Sequence, residues 1–171
     1  MSSPEFEKQI LVAGLGNAWL RDDGFGGAVI RRLELDGDVP SGVNLMDAGT
    51  SGLDLAYEVM RGYHALVLVD AAPQGGEPGT LYVIEPDTAD LEDPIEDNEK
   101  IDPHGMDAST VLRFVRAVGG WHGKVVIVGC EPGEVEEIGL TMTDAVAAAV
   151  EPAIALVREQ LAELRSDKAL T

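Results

Sequence analysis

His64–Asp70 reads HALVLVD, an apolar run closed by a carboxylate, and it limits the fold more than any other stretch of this chain. A strand exposed on one face alternates apolar with polar residues; an unbroken run belongs to a strand covered on both faces, as in a parallel sheet. Gln9–Gly14 (QILVAG) and Lys124–Cys130 (KVVIVGC) repeat the pattern, and Val43–Asp47 is a further strand candidate. Between these runs lie helical segments at Phe25–Leu35, Leu53–Met60 and Asp107–Val118. A last one runs from Thr143 to about Arg165, where Pro152 should kink the helix or start a new one. Parallel strands need crossover connections, which are nearly always right-handed. The expectation is an α/β three-layer sandwich: a mostly parallel, five-stranded twisted sheet with helices on both faces. Thr80–Glu85 (TLYVIE) is expected as an antiparallel edge strand.

A chain of 171 residues suits one domain with a sizeable core, taken here as residues 8–165 with frayed tails at 1–7 and 166–171. The apolar runs are about six to eight residues long, short of the roughly 18 that span a bilayer. No basic region followed by an apolar stretch opens the chain, so neither a secretory signal nor a membrane anchor is expected. A single Cys130 excludes an internal disulfide and fits a reducing cytoplasm. Thirty-one acidic residues against 12 basic ones give a net charge of −19, which phosphate backbones repel. A cation or a basic protein surface is the more natural partner.

In an open α/β sheet, ligands bind at the carboxyl ends of the strands, near the point where strand order reverses. That rule sorts the polar residues. Asp23, in the Gly14–Gly24 turn, and Asp70, closing its strand, belong to this edge, as do Asp47, Cys130 and Glu131. His64 opens its strand six residues before Asp70, so at about 3.3 Å per residue it lies roughly 20 Å away. His122 precedes the last strand and is set aside on the same ground, leaving His104, in Asp102-Pro103-His104-Gly105, to reach the edge. Two carboxylates and an imidazole make an open site for a divalent metal of intermediate softness. The plainer roles are helix capping for Asp22 or Asp23, and for His104 a cap on the helix that follows. Asp47 is expected to serve its own Gly49–Gly52 turn, and Cys130 to be a core thiol. Glu85–Asp102 (EPDTADLEDPIEDNEKID) reads as an acidic loop, either a solvated insertion or a lid that docks a substrate.

Other chemistries fit poorly. Gly14-x-Gly16-x-x-Trp19 lacks the third glycine of a dinucleotide fingerprint, and there is no P-loop, Gly-x-Ser-x-Gly elbow or His-Glu-x-x-His.

Six segments in order resemble the hydrogenase maturation endopeptidases, over about Ile10 to Leu164. They are Gly14-x-Gly16-Asn17 with Asp22-Asp23-Gly24-x-Gly26, Asp47-x-Gly49-Thr50-x-Gly52, Val69-Asp70-Ala71, Pro103-His104-Gly105, Glu131-Pro132 with Gly139-Leu140-Thr141, and Ala149-Val150-Glu151-Pro152. The resemblance implies a metal-dependent endopeptidase, acting as a cytoplasmic monomer, that trims the C-terminal extension of a nickel–iron hydrogenase large-subunit precursor. It places the metal ligands and the cleavage chemistry on Asp23, Asp70 and His104. It also implies nickel delivered with the substrate, with zinc or cadmium as alternative occupants. A nickel-sensing chaperone that holds the precursor without cutting is the non-enzymatic alternative. Peptidyl-tRNA hydrolases also open on a strand leading into Gly-Leu-Gly-Asn, but they would want a basic groove and an early histidine, and neither is present.

Overall fold

Strands form where the apolar runs predict them. The structure, a computed structural model, describes residues 9–86 and 108–166. Five strands, β1 (Ile10–Leu15), β2 (Val43–Gly49), β3 (Ala65–Ala71), β4 (Leu81–Ile84) and β5 (Lys124–Cys130), make one sheet in the order β2-β1-β3-β5-β4. β2, β1, β3 and β5 run parallel, and β4 pairs antiparallel with β5 as an edge strand. The helices are α1 (Phe25–Asp36), α2 (Gly52–Val59), α3 (Ala108–Gly119) and α4 (Asp144–Ser166). One helix runs through Pro152, so no new helix starts there. No helix among the described residues is long and apolar enough to cross a membrane.

Alternation along the buried strands splits the core in two. Val67 and Val69 face α1 and α4, packing with Phe25, Val29, Ile30, Val157 and Leu161. Leu66 and Leu68 face α2 and α3, packing with Leu55, Val59, Val111, Leu112 and Val115. Each such side chain contributes about 1.5–3 kcal/mol when fully buried, and β3 buries its residues on both faces. This explains why its sequence shows no polar alternation.

The chain leaves β1 for β2 on one side and returns to β3 on the other, so the strand order reverses between β1 and β3. The first turn of α1 lies directly over that gap. Gly26 sits against the carbonyls of Leu15 and Val69, and any Cβ there would overlap both oxygens. Only glycine lets backbone meet backbone so closely. The helix start, and the turn before it, are therefore fixed relative to the ends of β1 and β3.

Candidate functional site

A 3-10 turn, Arg21–Gly24, joins the β1 loop to α1 and packs against β3. It carries two adjacent acids that behave quite differently. Asp22 is fully buried. Its Oδ1 accepts the Thr143 N–H at 2.7 Å, and its Oδ2 accepts the N–H groups of Gly133 and Glu134 and the Thr143 hydroxyl, each at 2.8 Å. Burial alone would raise its pKa, but these donors outweigh it and hold the carboxyl below its ordinary value. With four hydrogen bonds already accepted, Asp22 has no capacity for a ligand. It binds the segment after β5 to the turn after β1.

Asp23 is half-buried. Its Oδ2 accepts the Asn17 N–H at 2.7 Å, which closes the loop after β1. No bond to its Oδ1 is found among the described residues, so that oxygen can serve a ligand. Gly16 adopts φ 121°, and a Cβ there would run into the Asp23 carbonyl, so the glycine keeps the loop folded onto the acid. Neither acid caps α1, contrary to the capping expectation: its N-cap is Gly24, with no side-chain cap bond.

Asp70 lies one residue beyond Val69 on β3, paired with Gly129 of β5, and is only 8% exposed. Pleat alternation puts its side chain on the Leu66–Leu68 face, the side from which α3 approaches. Because Gly26 touches the Val69 carbonyl, Asp23 and Asp70 flank one backbone contact at the reversal point between β1 and β3.

His104, and the acidic segment beyond Pro86, lie outside the described residues. Among the described residues no group of three His, Cys, Asp or Glu side chains gathers to hold a metal ion. The other two histidines sit at the amino ends of strands. His64 directly precedes β3 and its Nδ1 accepts the Gln9 N–H at 3.2 Å, while His122 precedes β5 with its Nδ1 3.4 Å from Arg116 Nη1. Asp47 accepts the Gly49 N–H at 3.2 Å, the expected local turn bond.

Glu131 is the functional-edge residue whose role the sequence did not reveal. It is buried, and its carboxylate accepts the N–H of Gln74 at 2.8 Å, the N–H of Gly76 at 2.6 Å and the Tyr82 hydroxyl at 3.1 Å. Burial opposes its charge, but these donors hold its pKa below the ordinary value. It pins the loop that leaves Asp70. The available signal was the one used for Asp70, a carboxylate ending an apolar strand. Cys130 beside it is fully buried; burial, then the charges of Asp22 and Glu131, push its thiol up to about 11. The thiol is neutral near pH 7 and makes no nucleophile. The edge as a whole is anionic: Asp22 and Glu131 are saturated largely by backbone donors, and Asp23 and Asp70 lie in the segments that follow β1 and end β3.

The model of the HycI family, described as hydrogenase maturation protease, matches residues 28–160. The chain is 33% identical over 156 residues to the hydrogenase 2 maturation protease of Escherichia coli K12, covering 91% of this chain and 92% of that protein. It is 32% identical over 154 residues to the hydrogenase expression/formation protein HupM of Azotobacter chroococcum mcd 1, covering 90% and 72%. Among solved structures, the hydrogenase maturating endopeptidase HybD from E. coli superposes with a TM-score of 0.72 at 28% identity, covering 91% and 93%. The hydrogenase 2 maturation peptidase from Thaumarchaeota archaeon SCGC_AB-539-E09 gives 0.66 at 30%, covering 90% and 98%.

Proposed function

The chain belongs to the hydrogenase maturation protease family, and on that footing we propose that it is the endopeptidase that removes the C-terminal extension of a nickel–iron hydrogenase large-subunit precursor after nickel insertion. The observation that carries this reading is the division of labour among four edge carboxylates. Asp22 and Glu131 are saturated by backbone donors and hold the loops. Asp23 keeps an oxygen for a ligand, and Asp70 lies at the carboxyl end of β3, on the same edge of the sheet.

The donor set fits a divalent ion: two carboxylates, joined in the proposal by the His104 imidazole, suit nickel, zinc or cadmium and leave coordination positions open. Nickel is the ion expected to arrive within the substrate. Bound at such a site, it would polarise the scissile carbonyl as a Lewis acid. The chain's own part is to hold position and charge. The Asn17 N–H orients Asp23, Gly26 fixes the turn against β3, and Glu131 keeps the loop after Asp70 in place. Oxygen donors from two carboxylates bind weakly enough to release a finished product.

The test is to incubate the chain with nickel-loaded and with metal-free precursor and to follow the mass of the large subunit. Cleavage of the nickel-loaded form alone is expected. Binding of that form with no change in mass would overturn the protease reading in favour of a chaperone. In the same assay His104→Ala should lose cleavage, whereas His64→Gln, altered at the far edge of the sheet, should cut at the parent rate. A loss in His64→Gln at unchanged thermal stability would show that strand ends do not separate working from idle histidines here.

A further inference from the structure

Three large apolar side chains stand in solvent beside the candidate site. Trp19 is 64% exposed, Ile138 82% and Leu140 67%. They are neighbours through an isolated parallel bridge between Leu20 and Gly139, in which the Gly139 N–H donates to the Trp19 carbonyl at 2.8 Å and the Arg21 N–H to the Gly139 carbonyl at 2.9 Å. Trp19 belongs to the loop that carries Asp23, and its own N–H is held by the Asn17 side chain at 2.9 Å. Arg21 is the one non-glycine residue with positive φ, at 49°, among the described residues. That conformation costs on the order of 1–3 kcal/mol unless its surroundings over-determine it. Here they do: Arg21 Nε donates to the Thr141 carbonyl at 2.9 Å, and Nη1 reaches Glu137 at 3.0 Å. Asp22 anchors the same two segments from below. The apolar platform is thus held in place at the rim of the site, and nothing among the described residues covers it.

We propose that this platform docks the precursor: it receives an exposed apolar segment of the substrate protein and aligns the cleavage point with Asp23 and Asp70. This rests on the maturation-protease reading and adds the surface by which the partner is gripped. Two observations select the partner. The platform is continuous with the candidate site through the 17–23 loop. Its surroundings are acidic, with Glu134, Glu136 and Glu137 against the single Arg21, on a chain of net charge −19. A partner apolar at the centre and basic around it is complementary; a second copy of this chain carries the same excess of negative charge and is repelled.

The test compares the parent with Trp19→Ser/Ile138→Ser/Leu140→Ser in steady-state processing of the precursor, with the thermal midpoint measured alongside. All three side chains are exposed, so the midpoint should stay near the parent value. The expected result is an increase in KM of roughly ten- to a hundredfold, with kcat at saturating precursor retained. Should the triple variant unfold, the single Ile138→Ser and Leu140→Ser variants carry the same test, each expected to raise KM severalfold. An unchanged KM, or a fall in kcat alone, overturns the proposal while leaving the protease reading intact. If the parent does not cleave, titration of the precursor onto parent and triple variant decides. Loss of binding in the variant upholds the docking surface, and equal binding, or none by the parent, overturns it. A parent dimer in sedimentation that the triple substitution dissociates without changing KM would show that the platform joins two copies instead.

Discussion

Asp70→Asn is expected to yield a folded protein that no longer trims the precursor, its processing rate down by roughly a hundredfold or more. The substitution keeps the shape of the side chain and removes its charge. A neutral amide oxygen is a poor donor to a divalent ion, and an amide cannot take up a proton. The fold should tolerate it, because Asp70 is next to last in β3 and the strand is held by backbone pairing to β5 and by its apolar neighbours. The check is a mass assay of the large subunit together with a thermal melt. Processing near the parent rate, with the fold intact, would remove Asp70 from the site. Asp23→Asn should show a similar loss, since only one of its oxygens is occupied by Asn17.

Asp22→Ala should do the opposite, damaging the fold before the chemistry. It deletes a buried carboxylate and leaves the N–H groups of Gly133, Glu134 and Thr143 without an acceptor. Breaking a buried charge network of this kind costs about 3–5 kcal/mol. In a domain of this size that is a fall in Tm of roughly 6–15 °C. The effect depends on pH with a definite sign. The folded pKa of Asp22 lies below the ordinary carboxylate value. Its contribution is therefore fully present above the unfolded value of about 4, and is lost as pH falls through the folded one. The gap in stability between parent and variant should narrow on acidification below about pH 4, as read from denaturant midpoints at a series of pH values. A gap that widens in acid would contradict the assignment.

Much of the fold was legible because it rests on local pattern. The run ALVLV could only be a doubly covered strand, and the short TLYVIE stretch was visible as an edge. The carboxyl-edge rule assigned Asp23 and Asp70 to the ends of β1 and β3, and the segments that carry them meet where Gly26 abuts the Val69 carbonyl. What stayed hidden depends on partners without side-chain signatures. Asp22 and Asp23 look alike in sequence, and both read as caps; only the N–H groups of Gly133, Glu134 and Thr143, more than a hundred positions away, make one a buried anchor. Glu131 was hidden in the same way, because its acceptors are filled by backbone at Gln74 and Gly76. The exposure of Trp19, Ile138 and Leu140 was equally unreadable, since apolar residues in a loop ordinarily suggest packing.

The lone thiol gives this chain a built-in clock. Cys130 closes β5, directly before Glu131, and is sealed from solvent with its thiol pushed up to about 11. An alkylating reagent at neutral pH can reach it only while the end of β5 is open, so the labelling rate counts openings at the very edge where Asp70 and the pinned loops meet. Reaction no faster than global unfolding would mean that the edge moves only with the whole domain. Faster reaction would measure a private opening of that edge, separate from the unfolding of the domain.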